Sequence, residues 1–345
     1  MTLTALDQNR PGTAADPNIL RAEFNALRSG CGIYDLRESA RLSITGGDRV
    51  RWLNGMVTNN IRDLPPSHGV YAFLLNPQGR IQADLYAYNR GDSLLVETDR
   101  GLLEKILQIF DHYIIMDDVE LRNVSEQLAG IGVAGPRTRD VLRTAGADLP
   151  QLVPLQFVDL RWRDASLIVV RGDNPSVDSY SIWVEPGHSA SLSKALAEAG
   201  ATPVGIDALE LLRIASGIPR YGQDIRERDL PQETEQTRAL NFSKGCYIGQ
   251  EIVERIRSRG TVHRKFSGFE IDGLLPPPGA KVQIDGKDVG EITSAALLPV
   301  GDGHRAVALG YVRREFGTPG KQLDAGDVKA SVSDLPFKGI FDGVS

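Results

Sequence analysis

The chain is short of cysteine. It has 345 residues and only Cys31 and Cys246, which are far apart and fit no zinc-ligand spacing. One disulfide is the most they could form, and nothing in the sequence points to an oxidising compartment. No stretch approaches the roughly 20 apolar residues of a membrane span. The first 17 residues hold Asp7 and Asp16 and no apolar run, so they read as neither a secretory signal nor a transit peptide. These absences set the expectation of a soluble cytoplasmic protein. No P-loop, no His-Glu-x-x-His and no Gly-x-Ser-x-Gly occurs, and the five histidines are scattered, so no metal centre is expected. A net charge of -6 disfavours nucleic acid as a partner.

What is present is ordinary for a globular protein: 41% hydrophobic and 24% charged residues, with length for two or three domains. Ile19, Leu20, Phe24 and Leu27 recur at helical spacing over residues 17–30. One strand is expected near 32–44, then a short helix from Asp48 to Met56 capped by Asp48. Val70–Leu75 and Ile81–Tyr88 are β-like runs around Asn76-Pro77-Gln78-Gly79, which is hairpin chemistry. Further helices are expected over 102–110, after Gly135-Pro136, and over 189–199 and 207–214. Beyond Pro276-Pro277-Pro278-Gly279, short β-like segments near 281–284, 289–292, 306–312 and 328–333 suggest a small antiparallel barrel.

Gly130-Ile131-Gly132-Val133-Ala134-Gly135 matches the dinucleotide fingerprint by letter. Its first two glycines fall inside an apolar strand-like run rather than in a turn opening a helix, so it reads as a decoy. Arg255, Arg257, Arg259, Arg264 and Lys265, with His263, form a basic cluster that suits either a solvated helix end or an anion site. Asp84 stands among Ile81, Leu85 and Tyr86. It is either wet at a strand edge or buried with a raised pKa and able to hydrogen-bond a ring nitrogen.

Cys246 is the candidate reactive residue. It lies in Lys244-Gly245-Cys246-Tyr247-Ile248-Gly249-Gln250-Glu251, ahead of a helical stripe of Ile248, Ile252, Val253 and Ile256. A free cysteine is most often a small buried hydrophobe. Two glycines, a lysine, a glutamine and a glutamate are poor company for one. A helix N-terminus and cations such as Lys244 and Arg255 would favour the thiolate.

This segment resembles the signature of the YgfZ family, folate-binding proteins that assist iron–sulfur enzymes; Glu254 stands where a small residue is expected. Gly32–Leu36, Val57–Asn60, Leu75–Ile81, Gly135-Pro136, Ile214–Asp224, Ala308–Val312 and Leu335–Phe337 are similar to segments of the wider aminomethyltransferase family, the glycine-cleavage T-proteins. The resemblance implies an α+β, GcvT-like fold. Residues 1–262 would form two interwoven ferredoxin-like subdomains around a folate site, and residues 263–345 a C-terminal antiparallel β-barrel.

The resemblance also implies tetrahydrofolate as cofactor, with Asp84 and Tyr71 contacting it and Tyr221 near the same site. Ala83 replaces the first aspartate of the T-protein pair. The 171–180 stretch offers no counterpart to the family's pterin-binding glutamate, and T-proteins tend to carry aspartate where Cys246 stands. The leading expectation is an accessory protein for iron–sulfur cluster assembly or repair. Cys246 would act close to the folate, Lys244 and Arg255 would keep it ionised, and cluster enzymes or assembly proteins would be transient partners. Gly245, Tyr247, Gly249, Gln250 and Glu251 would complete the motif. The alternative is a folate-dependent aminomethyltransferase or related one-carbon transferase, in which Asp84 assists at the one-carbon unit. An RNA-binding module built on the basic cluster is the least favoured reading.

Overall fold

A computed structural model of the chain describes residues 16–260 and 262–341. The expectations placed on earlier residues, Asp7 included, lie outside the described residues.

The chain opens with α1 (Pro17–Ser29), β1 (Gly32–Asp35), β2 (Ser39–Thr45), α2 (Arg49–Met56), β3 (His68–Leu75), β4 (Ile81–Asn89), β5 (Leu94–Asp99), α3 (Leu103–His112) and β6 (Glu120–Asn123). It continues with β7 (Ala129–Ala134), α4 (Thr138–Thr144), β8 (Phe157–Trp162), β9 (Ala165–Arg171), β10 (Ser179–Val184), α5 (Pro186–Glu198), β11 (Thr202–Pro203) and α6 (Ile206–Ala215). A long irregular segment leads to α7 (Gln250–Arg259). The chain then makes β12 (Arg264–Asp272), β13 (Lys281–Ile284), β14 (Lys287–Val300), β15 (Gly303–Arg313), β16 (Gln322–Ala325) and β17 (Val328–Ser333).

Two open sheets and a barrel result. The first sheet runs β3-β4-β5-β2-β6, the second runs β11-β1-β7-β10-β9-β8, and β12 to β17 close into a six-stranded antiparallel barrel. The single strand expected over 32–44 is two strands in different sheets. Leu36 N–H donates to the Gly130 carbonyl of the second sheet at 3.0 Å, and the turn closed by Ser39 N–H on Leu36 O redirects the chain into the first. An apolar pattern on both sides of Arg37-Glu38 cannot reveal that the partners change. The crossing is one of the places where the two halves interweave.

Local chemistry explains the other boundaries. Asp16 accepts from Asn18 N–H at 2.8 Å and Pro17 occupies the first turn of α1. Phe24 and Leu27 are buried there, but Ile19 faces water, so the apolar stripe is narrower than its spacing implies. Asp48 makes no side-chain cap on α2. Its carboxylate instead accepts from Asp118 N–H and pairs with Arg51, because the incoming 117–118 loop offers a better donor. Gly130 and Gly132 sit within β7. A methyl on the first would meet the Arg41 guanidinium at 2.4 Å, and on the second the Tyr34 ring at 2.1 Å. These glycines make room for neighbouring side chains and cradle no phosphate.

Each layer has its own core. Leu42, Trp52, Leu74, Leu85, Val96, Ile106 and Phe110 join the first sheet to α2 and α3. Ile33, Val133, Leu142, Leu167, Ile182 and Leu196 join the second to α4 and α5. Phe24, Leu211 and Ile214 of α1 and α6 pack with Phe266 and Leu309 of the barrel and with Phe337 just after it. A polar knot reinforces this seam. Asp224, fully buried, accepts from Arg213 at 2.6 Å, from Ser294 Oγ at 2.7 Å and from Thr293 Oγ1. Buried charge of this kind persists only when every lone pair finds a donor.

Candidate functional site

A cavity of about 410 Å3 opens between the two sheets. That volume suits a small-molecule ligand. Strands β4 and β5 supply Asp84, Tyr86, Tyr88, Glu97 and Thr98. The loop after β9 supplies Asp173 and Asn174, and the chain after α6 supplies Tyr221.

Asp84 is placed here by the β3–β4 ladder. Tyr71 pairs with Tyr86 and Phe73 with Asp84, so Tyr71 and Asp84 are diagonal neighbours on one face. The Tyr71 hydroxyl donates to Asp84 Oδ2 at 2.7 Å. Burial pushes the Asp84 carboxyl up, and the Tyr71 hydrogen bond offsets part of that rise. Burial likewise holds the Tyr71 phenol well above its usual range, so it remains a donor. Asp84 is half-buried at the cavity wall, and its raised carboxyl held by Tyr71 fits the second of the two readings open for it.

Tyr221 also lines the cavity. Its hydroxyl accepts from Lys105 Nζ at 3.2 Å, and that ammonium also donates to Gln82 O at 2.7 Å and pairs with Glu227. Arg238 lies with its guanidinium carbon 4.4 Å from the centre of the Tyr71 ring and pairs with Asp173. Asp173 in turn accepts from the Tyr86 hydroxyl at 3.2 Å. Deeper in, Glu97 is held by Arg41 at 3.2 Å, both buried. Burial pushes Glu97 up, with Arg41 opposing. Lys105, Asp173, Arg238, Arg41 and Glu97 escaped the sequence reading. The one hint was that Asp173 falls in the 171–180 stretch, which departs from the family pattern.

The chemistry of this lining is consistent. Tyrosine rings and aliphatic side chains suit the faces of a flat heterocycle, and buried carboxylates suit its ring N–H and amino edges. A reduced pterin has those faces and those edges. Asp84 can accept a hydrogen bond when ionised and donate one when protonated.

The Lys244–Glu251 segment lies elsewhere. Cys246 is exposed and does not line the cavity. Lys244 turns inward, donating to the carbonyls of Asn54, Val57 and Asn59 at 2.5, 2.6 and 2.7 Å, in the last turn of α2 and just past it. Burial, with Arg62 nearby, pushes Lys244 down to about 7. Arg62 also approaches Gly245, with a guanidinium nitrogen 3.9 Å from where a Cβ would stand. Arg255 is exposed on α7 and lines a separate groove with Arg80 and His263. The structure therefore ties Lys244 to the α2 loop and points Arg255 into another groove.

The rest of the motif anchors the loop. Tyr247 is buried in a cluster with Tyr71, Phe73 and Val253, while its own N–H donates to Gln250 Oε1 at 3.2 Å. Ile248 N–H donates to Gly55 O at 3.1 Å. Gly249 has φ +81, and a Cβ there would fall 2.6 Å from Asn76 O. On the facing turn, a Cβ at Gly79 would meet Ile252 at 2.8 Å. Two glycines let the motif seat on the β3–β4 turn. Glu251 is exposed in the first turn of α7, where a negative charge is favoured.

Two sheets around a central cavity and a closed C-terminal barrel define the architecture, and comparison with known proteins agrees. Residues 12–244 match the GCVT N-terminal domain, and residues 264–338 match the glycine cleavage T-protein C-terminal barrel domain. The chain belongs to this glycine-cleavage T-protein (GCVT) family. It is 29% identical over 322 residues to an aminomethyltransferase of Rubrobacter xylanophilus, covering 92% of this chain and 86% of that one. It is 28% identical over 315 residues to an aminomethyltransferase of Rippkaea orientalis, covering 88% and 84%. The crystal structure of the glycine cleavage system aminomethyltransferase T from Bartonella henselae superposes with TM-score 0.84 at 21% identity, covering 94% of this chain and 91% of that one. The fold is thus the α+β GcvT fold with its closed C-terminal barrel. Among the described residues, no helix is long and apolar enough to cross a membrane.

Proposed function

We propose that this chain binds tetrahydrofolate in the cavity between its sheets and presents Cys246 outside it, as a thiol serving iron–sulfur proteins that bind transiently. One observation carries the reading: the thiol is exposed while the residues around it are pinned. Lys244 is tied to three carbonyls, Tyr247 is buried, and Gly249 is pressed on the turn below. Such a loop holds a side chain out toward a partner at little entropic cost. The resemblance of the motif to the YgfZ signature supports the same reading. A Cys246→Ser variant, returned to cells lacking the protein, should fail to restore cluster-dependent radical enzymes. Full restoration refutes a role for the thiol.

A folate-dependent aminomethyltransferase is the second reading. Asp84 at the cavity wall, held from behind by the buried Tyr71, favours it, as do curated relatives that carry that activity in their names. Asp84 would steady the one-carbon unit by hydrogen bonding or by accepting a proton. Formation of methylenetetrahydrofolate from an aminomethylated donor by purified protein would select it. Both readings need the folate. Calorimetric titration with tetrahydrofolate under reducing conditions, with no heat from the wild type, removes both.

A further inference from the structure

A second cavity, of about 340 Å3, lies against the first at the seam with the barrel. Asp173 and Ile218 belong to both linings. The barrel contributes Lys265 and Ser267 of β12 and Asp334, and the irregular segment before α7 contributes Glu235 and Arg238.

Two independent features mark it as a site. Ser267 is 5% exposed, and its Oγ finds no hydrogen-bond partner. An unpaired buried hydroxyl is unfavourable, and Ser267 belongs to the lining of this cavity, so a ligand that reaches it supplies the missing partner. The second feature is the charge balance. Asp173 is paired with Arg238, Glu235 with Arg314 at 2.7 Å, and Asp334 with Lys338 at 3.2 Å. Lys265 has no ion pair among the described residues. Every carboxylate of the wall is already neutralised, and one ammonium is left over.

We propose that this cavity binds a carboxylate-bearing group, held by Lys265 and Ser267 and coupled to the central cavity through Arg238. One surplus positive charge beside one free hydroxyl matches a carboxylate better than a phosphate dianion. Arg238 grips Asp173 on the shared wall and covers the ring of Tyr71, the residue that donates to Asp84. An anion in the second cavity competes with Asp173 for that guanidinium. Its arrival therefore alters the field at the Tyr71–Asp84 pair. The carboxylate is either the tail of the molecule in the central cavity or a separate small acid.

The choice of probes rests on the folate reading. Calorimetry would compare tetrahydrofolate, a tetrahydropterin lacking the tail, and free glutamate added to protein already saturated with that tetrahydropterin. Wild type, Lys265→Met and Ser267→Ala would each be titrated. Both substitutions should weaken a carboxylate-bearing probe about tenfold or more, as expected for loss of a charged hydrogen bond, and leave the tail-less pterin unchanged. Ser267→Ala should keep or raise the melting temperature, since it removes an unsatisfied group. Loss confined to tetrahydrofolate assigns the site to a tail, and loss of glutamate binding assigns it to a separate acid. Equal affinities across wild type and both variants for all three probes overturn the proposal. Should wild type bind neither pterin, the folate reading falls, and glutamate added to the free protein decides. Heat lost in Lys265→Met then upholds the second site, and no heat with wild type rejects it.

Discussion

Tyr71 and Asp84 stand on adjacent strands, two residues out of register, with the phenol donating to the carboxylate at 2.7 Å. The diagonal is the longest reach a cross-strand pair commonly bridges, and a tyrosine spans it. This pair fixes the direction in which Asp84 faces. Arg238 over the tyrosine ring then sets the charge behind it.

Replacing Asp84 by Asn tests that pair. Folate affinity should fall about tenfold or more if the carboxylate meets a ring N–H. Stability should move the other way. Asp84 has a raised pKa when folded, so between the unfolded value near 4 and the raised one the native state holds the extra proton. Its contribution is lost as pH climbs through the folded value. The Asn variant, free of that loss, should melt higher than wild type at neutral pH, and the gap should close on acidification. Calorimetric scans across pH would show a constant gap if Asp84 is unperturbed.

Lys244 carries the opposite sign. Its folded value near 7 lies below the roughly 10.4 of an unfolded lysine, so between those limits the unfolded chain binds more protons. Wild-type stability should rise with pH across that window, and Lys244→Met should flatten the rise. The three carbonyls ask for three N–H donors, which a neutral amine cannot supply. Alkylation of Cys246 should therefore change rate as Lys244 titrates. A rate that follows only the thiol's own ionisation argues against the link.

Gly249→Ala is expected to dislodge the motif. The left-handed backbone costs about 1–2 kcal/mol for an L-residue, and the added methyl would fall 2.6 Å from the Asn76 carbonyl oxygen. Proteolysis should cut within residues 241–249 several-fold faster in the variant than in wild type. Unchanged cleavage and an unchanged melting point would show that the turn can yield.

Arg41→Met should destabilise by about 3–5 kcal/mol, because it strands the Glu97 carboxylate against the second sheet. The double variant Arg41→Met with Glu97→Gln should recover much of that loss in urea unfolding. Absence of recovery would place the cost in packing against Trp183, whose ring centre lies 5.2 Å from the guanidinium carbon.

Much of the architecture was legible along the chain. The β3–β4 hairpin follows from Asn76-Pro77-Gln78-Gly79 between alternating runs, and its register brings Tyr71 and Asp84 together on one face. The barrel was legible from four β-like segments after Pro276-Pro277-Pro278-Gly279, but β14 and β15 run to 14 and 11 residues and β12 and β16 went unread. The 32–44 strand was misread because its two halves look alike locally and differ only in their partners.

Sequence by itself determined most of the elements, the wider GcvT-type family and the local rules: where glycine is required, and where an aspartate interrupts an apolar strand. Those depend on backbone sterics and side-chain periodicity, which act over a few residues. Only the tertiary structure decided that Arg238 meets Asp173 across 65 positions, that Lys105 reaches Tyr221 across 116, and that Lys244 reaches Asn54 across 190. It also decided that Cys246 faces solvent while Lys244 does not. Such pairings arise when separate layers close on each other and buried charge must find whichever counter-charge the packing brings near. No local pattern records that outcome.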